Sequence, residues 1–253
     1  MERGPYCGGF VTVNIAHRGG AGLAPENTLA CFKRGIQYAD MLEFDVQPTA
    51  DRQLVVFHDR SGIERTTNGH GLIPNLTFEY LRSLDAGGWF GSEFIGEKIP
   101  TLAEVLDFAK ETEVQLNIEL KYYDDSSDWF ERAIINTIGQ YKITQSTIVT
   151  ARYPANIRRI QRISPQLRCI LLQKERPNDE YLALTLELDL KTMQIRRQGH
   201  DPMFIQKCHD HDIRVYYYYA DDPNDMRNAV EMRLDGILTN YPDRLAQVLT
   251  ETS

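Results

Sequence analysis

Short apolar, β-branched runs alternate with longer segments of helical period along almost the whole chain, and that alternation restricts it to an architecture of repeated βα units. The first run, Val11 to Ala16, ends at His17-Arg18-Gly19-Gly20. A helix is predicted from about Glu26, where Pro25 suits a first turn and Leu29, Phe32 and Ile36 form an apolar stripe. Met41 to Val46 and Leu54 to Phe57 are taken together as one interrupted strand region. Further strands are predicted at Val114 to Leu120, Thr147 to Thr150, Leu167 to Leu172, Met193 to Ile195, Arg214 to Tyr219 and Gly236 to Thr239. Helices between them include Leu102 to Lys110, Trp129 to Gln140, Ala155 to Ile163, Pro202 to His209 and Pro223 to Met232, with Asp243 to Leu249 last.

About eight such units in 253 residues fit one TIM-type (β/α)8 barrel, a fold that commonly runs to about 250 residues. A doubly wound open sheet satisfies the alternation almost as well; the unit count and the placement of polar residues favour the barrel. Residues 60–100 break the rhythm with Gly, Thr and aromatics. They read as an insertion after the second strand region within a single domain spanning residues 1–253. Trp89, Phe90 and Phe94 would form its apolar core or line a substrate entrance.

A formal net charge of −8 without a basic stripe argues against nucleic acid or an anionic membrane as partner. No run of about 18 apolar residues is present, so no membrane span is expected. The start, Met1 to Pro5, lacks the apolar core of a signal peptide. Four cysteines, Cys7, Cys31, Cys169 and Cys208, are scattered without paired spacing. Reduced, packed thiols and a cytoplasmic setting are the expectation.

The candidate chemistry sits at strand ends. His17 and Arg18 follow the first strand, and His58 closes the second strand region. Glu43 with Asp45, and Glu119 with Lys121, are spaced by two, which puts each pair on one face of its strand. Parallel barrel strands converge at one rim, so these residues can meet there. Two carboxylates about 4 Å apart repel by roughly 4 kcal/mol at an effective dielectric near 20, so three need a proton or a cation. All-oxygen ligands suit one hard divalent ion, Mg²⁺ or Ca²⁺. With that ion, the three carboxylates and two basic side chains leave a single positive charge, which a phosphodiester neutralises. His17 and His58 can then divide the proton transfers of ester cleavage. Arg152, Gln173, Arg196 and Tyr219 end later strands and are candidate substrate contacts.

Cys208, His209 and His211 match no standard zinc spacing and read as part of a helix end. Gly19-Gly20-Ala21-Gly22 lacks the lysine of a P-loop and reads as a turn that positions Arg18.

At these residues the chain resembles the glycerophosphodiester phosphodiesterase family. The resemblance runs through His17-Arg18-Gly19, Pro25-Glu26-Asn27-Thr28, Glu43-Phe44-Asp45-Val46 and Val55-Val56-Phe57-His58-Asp59. It continues in Arg65 to Gly71, Ile99-Pro100-Thr101-Leu102, Asn117 to Lys121 and Leu234 to Pro242. It implies a TIM-type barrel with a small insertion, one divalent metal, and release of glycerol 3-phosphate and an alcohol. It further implies Glu43, Asp45 and Glu119 as metal ligands, His17 and His58 as acid and base, and Arg18 and Lys121 as phosphate holders. In the mechanism associated with the family, the glycerol 2-hydroxyl attacks phosphorus and a cyclic phosphate is then hydrolysed. Which histidine acts first as base is not legible here.

Two segments depart from the family pattern. Tyr217 to Asp222 stands where Trp-Thr-Val-Asn is common, and Ala151-Arg152-Tyr153-Pro154 stands where a Ser-Phe pair is common. Both bear on the leaving alcohol. A water-soluble glycerophosphodiester, such as the choline or ethanolamine ester, is the expected substrate. The alternative is lysophospholipase D-type cleavage, with an acyl chain against Trp89, Phe90 and Tyr217 to Tyr219. A non-catalytic phosphodiester-binding barrel would be marked by loss of a histidine or carboxylate, and every expected group is present.

Overall fold

Eight parallel strands form the barrel. They are β1 (Val13–Ala16), β2 (Met41–Pro48), β4 (Gln115–Leu120), β5 (Thr147–Ala151), β6 (Arg168–Leu171), β7 (Thr192–Arg196), β8 (Arg214–Tyr218) and β9 (Gly236–Thr239). Their order in the sheet is β6-β5-β4-β2-β1-β9-β8-β7. An isolated parallel bridge between Leu172 and Gln194 brings the two ends of the sheet together. The computed structural model describes residues 11–124, 126–173, 176–196 and 201–251. Cys7 and the Met1 to Pro5 segment lie outside them. The three described cysteines are free and buried, and no helix among the described residues is long and apolar enough to cross a membrane.

Alternation along each strand sorts side chains into two layers. Ile15, Met41, Ile148, Ile170, Tyr216 and Leu238 fill the barrel interior. Residues of the opposite parity, such as Leu42, Phe44, Ile118, Val149 and Ile195, join the larger core beneath the helices. The interior plug stops short of the C-terminal rim. There the inward positions turn polar: Glu43, Asp45, Glu119, Arg152 and Arg196 continue the same parity.

The helices are α1 (Leu29–Gly35), α2 (Phe78–Ser83), α3 (Leu102–Thr112), α4 (Trp129–Tyr141), α5 (Pro154–Ile163), α6 (Asn178–Glu187), α7 (Pro202–Asp210), α8 (Pro223–Glu231) and α9 (Pro242–Glu251). Helix α1 starts three residues after the predicted Glu26, because Thr28 caps it by accepting from the Cys31 N–H. Helix α6 is absent from the sequence reading. Leucines at 182, 184 and 186, continued by Leu188 and Leu190 beyond its end, alternate as in a strand, yet Tyr181, Leu182 and Thr185 form the buried helical face.

The second strand region divides in two. β2 belongs to the barrel, whereas β3 (Leu54–Val56) turns back to pair antiparallel with it. From β3 the chain enters the 60–100 segment, whose apolar cluster contains Ile63, Ile73, Leu81, Leu84, Ala86 and Ile99 with Val55 and Phe57. Phe94 packs instead with Ala24 and Cys31, next to Phe90, and Trp89 is exposed. The segment is therefore seated on the β3 hairpin and on the loop before α1.

Candidate active site

His17, Arg18 and Gly19 form a single tight turn directly after β1. Arg18 sits at φ 51°, in the left-handed region, a conformation that costs an ordinary residue of order 1 kcal/mol. It aims the Arg18 N–H at Glu43 Oε2, 2.9 Å away. Gly19 follows at φ +87°, and a Cβ there would lie 2.5 Å from the Phe32 ring. The turn fits only because that side chain is missing.

Glu43, Asp45 and Glu119 present ligand oxygens that all lie within 4.8 Å of one another. Glu43 and Asp45 are 2% and 1% exposed. Unscreened by water, two unit charges at 4.8 Å repel by about 3 kcal/mol at an effective dielectric near 20. Burial, reinforced by the charges of Asp45 and Glu119, raises the Glu43 carboxyl well above its ordinary range. Asp45 goes the other way. Burial opposes its ionisation, but Lys121, His58, Arg18 and the Asn27 amide together hold it below the usual carboxylate range.

The basic groups are locked to these acids. Lys121 Nζ lies 3.0 Å from Asp45 Oδ1 and also donates to Glu119. Arg18 Nε is 3.7 Å from Asp45 Oδ2, and its Nη1 is 2.9 Å from Glu26 Oε1. Burial works against the charge on Lys121, yet Asp45 and Glu119 outweigh it and raise its pKa. Both cations keep their charge at the rim.

The two imidazoles have different partners. His17 Nδ1 is 2.8 Å from Asn240 Oδ1, Asn240 Nδ2 donates to Asp221 Oδ2 at 2.7 Å, and His17 Nε2 is 4.0 Å from Glu43 Oε2. Burial, then the Arg18 charge, pushes the His17 pKa down to about 3. His58 Nδ1 is 2.7 Å from Asp59 Oδ1. Asp59 accepts from Arg65 Nε at 2.6 Å, and Arg65 also grips Glu26 through both terminal nitrogens. One chain of charges thus runs His58, Asp59, Arg65, Glu26, Arg18, Asp45. The structure brings together all seven residues expected at the rim.

The expected substrate contacts separate. A cleft of about 570 Å³ runs from Glu119 and Lys121 past Arg152, Gln173 and Arg196. Tyr218 lines it, while Tyr219 stacks on the face of His17 with ring centroids 5.5 Å apart. Gln173 is largely committed to the frame: its Oε1 accepts the Arg196 N–H at 2.9 Å, and its Nε2 donates to Asn178 at 2.8 Å. Sequence reasoning gave no role to Glu26, Asn27, Asp59, Arg65, Asp221, Asn240 or Arg176. All but Arg176 lie inside or beside the quoted segments, and Arg176, in the loop after β6, carried no signal.

The model of the glycerophosphoryl diester phosphodiesterase family matches residues 17–244. The chain belongs to that family. This phosphodiesterase is 32% identical over 239 residues to a glycerophosphodiester phosphodiesterase of Caldanaerobacter subterraneus subsp. tengcongensis, covering 94% of this chain and 98% of that one. It is 26% identical over 282 residues to lysophospholipase D of Rattus norvegicus, covering 96% and 88%. Among solved structures it resembles an Oleispira antarctica phosphodiesterase in complex with its product sn-glycerol-3-phosphate. That likeness has a TM-score of 0.85 at 25% identity, over 93% of this chain and 96% of the other. Membership and these relatives make this phosphodiesterase a TIM-barrel hydrolase of glycerophosphodiesters.

Proposed function

We propose that Glu43, Asp45 and Glu119 hold one divalent cation, Mg²⁺ or Ca²⁺, and that His17 and His58 divide the proton transfers of glycerophosphodiester hydrolysis. The observation that carries this is three carboxylates with ligand atoms within 4.8 Å, beside two imidazoles and two partly buried cations. An all-oxygen donor set suits a hard ion, and such an ion would offset the burial and the Asp45 and Glu119 charges that raise the Glu43 carboxyl above its ordinary range. When bound, the ion supplies Lewis-acid charge to the phosphoryl oxygens. Arg18 and Lys121 add fixed positive charge on the same oxygens.

Hydrogen bonding supports distinct roles for the histidines. The Asp221 carboxylate can only accept, so the Asn240 amide turns its NH₂ to Asp221 and its Oδ1 to His17. His17 therefore carries its proton on Nδ1 and keeps a lone pair on Nε2, the nitrogen on the Glu43 side. His58 Nδ1 meets the Asp59 carboxylate, which can only accept, so that nitrogen carries a proton. In the first step His17 takes the proton of the glycerol 2-hydroxyl as that oxygen attacks phosphorus. His58 protonates the departing alcohol oxygen as its bond to phosphorus breaks. Water then opens the cyclic phosphate with the roles reversed: His58 takes a proton from water and His17 returns one to the glycerol oxygen.

The charged cleft lining favours water-soluble diesters over monoacyl ones, since an acyl chain would meet arginines along most of its path. The test is glycerol 3-phosphate release by metal-stripped protein with Mg²⁺, Ca²⁺ or EDTA, on a glycerophosphodiester and its monoacyl counterpart. Full activity in EDTA would exclude the metal from the reaction, and faster turnover of the monoacyl ester would favour the lysophospholipase reading.

A further inference from the structure

The cleft beside β6 and β7 is charged in the wrong sense for choline or ethanolamine. Arg152, Arg176 and Arg196 all line it, and among the described residues the one acid there beyond the rim's own Glu119 is Glu180. None of the three arginines forms an ion pair among the described residues. Arg176 Nη1 donates only to the Leu172 and Gln173 carbonyls, each at 3.3 Å. Arg152 leans over the Tyr153 ring at 5.9 Å, and the Arg196 side chain is exposed. By contrast Arg18, Arg65, Arg82 and Arg132 each hold a carboxylate.

The arrangement is built. Gln173 is 5% exposed and ties the segment after β6 to β7, since its amide bonds the Arg196 N–H, Asn178 and the Arg176 carbonyl. Arg176 and Arg196 are thus held on one frame rather than scattered on a surface. In a chain of net charge −8, a concave surface with three such guanidiniums has a specific counter-charge to meet.

A bound metal, the three carboxylates, Arg18, Lys121 and one phosphodiester leave no net charge before the proton that His58 donates is counted. The described residues of the cleft beyond them retain two positive charges after Glu180 is subtracted. A phosphomonoester carries about −1.5 to −2 near pH 7 and accepts from several guanidinium donors at once. Glycerol is uncharged, so this counter-charge belongs to the other ester substituent. A smaller cleft of about 320 Å³ past His58 and Ser61 also opens from Glu119 and Lys121 and shares Arg152 with the first, so two paths lead away from phosphorus, and Arg176 and Arg196 lie on the larger one.

We infer that this phosphodiesterase prefers glycerophosphodiesters whose leaving alcohol carries its own phosphate group, held by Arg152, Arg176 and Arg196. The inference rests on the hydrolysis proposed above and assigns its substrate class. The bond between phosphorus and the alcohol oxygen breaks as before, and the products are glycerol 3-phosphate and a phosphorylated alcohol.

Three esters of glycerol 3-phosphate test it under one saturating concentration of free Mg²⁺ or Ca²⁺: with propanediol, with propanediol phosphorylated on its far hydroxyl, and with choline. The expected kcat/KM for the phosphorylated ester exceeds that of the plain propanediol ester by at least about tenfold, with choline lowest. Arg176→Gln and Arg196→Gln should each shrink the phosphorylated-to-plain ratio by about tenfold, while Arg176→Lys should retain part of it. Equal or faster turnover of the plain or choline ester overturns the inference and leaves the hydrolysis standing. Arginine variants that slow all three esters equally overturn it in the same way. Failure of every ester to release glycerol 3-phosphate would defeat both readings.

Discussion

The two halves of the barrel rim treat charge in opposite ways. On the β1, β2 and β4 side, the two cations nearest the carboxylates are already matched: Arg18 to Glu26 and Asp45, Lys121 to Asp45 and Glu119. On the β5 to β7 side, Arg152, Arg176 and Arg196 meet no carboxylate partner among the described residues. The matched half is set before substrate arrives and serves any phosphodiester, which is the arrangement electrostatic preorganisation requires. The unmatched half has its charge open to a ligand, which is why the inferred selectivity is assigned there.

The hardest blow to this contrast is a change in the matched half. His17→Ala should lower turnover of every ester by at least about 10²-fold, without changing the ranking among alcohols. His58→Ala should do the same, except in the first-turnover release of p-nitrophenolate from a glycerophospho ester of p-nitrophenol, since the phenolate departs without a proton and His58 is needed again only when water opens the cyclic phosphate. Recovery there by the His58 variant but not by the His17 variant checks the assignment of acid and base. Equal recovery by both would reverse or dissolve it.

The next effect is one of pH. A raised Glu43 carboxyl favours the fold below its ordinary value of 4.5, and that contribution fades as pH climbs through the raised value. His17 acts oppositely: with its pKa lowered from 6.5 to about 3, the fold loses stability as pH falls across that window. Comparing the metal-free protein with its Glu43→Gln variant isolates the first trend. The wild-type melting temperature should fall by several degrees relative to the variant as pH rises above 4.5, and metal should restore it. Parallel curves would mean that Glu43 ionises freely.

Much of the matched half was legible because its groups come in strand-spaced pairs. Glu43 with Asp45 and Glu119 with Lys121 announce an inward face, and His17 and His58 mark strand ends. What lay hidden depends on contacts across long stretches of chain. Arg65 reaches Glu26 across 39 positions, and Asn240 reaches His17 across 223. Neither pairing has a local pattern. The unmatched half was half legible: Arg152 and Arg196 share the inward parity, whereas Arg176 belongs to a loop. Tyr218, one residue before the expected Tyr219, lines the cleft because strand parity turns 216 and 218 inward. The leucine alternation over α6 imitates a strand, and the β3 hairpin needs a chain reversal at Thr49 to Arg52 that short apolar runs do not announce.

Smaller effects sharpen the picture. Asp221→Leu removes the acceptor that orients the Asn240 amide, and kcat should fall by roughly tenfold while KM changes little, in keeping with a positioning role. A KM effect of equal size would instead give Asp221 a binding role. Arg65→Gln cuts the link between the 60–100 segment and Glu26 and should cost only a few-fold, because Arg65 is half exposed.

Calorimetric titration of metal-stripped protein with Mg²⁺ or Ca²⁺, in two buffers of different ionisation enthalpy, tests the central claim most directly. The expected result is one ion per chain, binding accompanied by proton release, and loss of that release in Glu43→Gln. Absence of binding, or binding and proton release unchanged by the substitution, would contradict it.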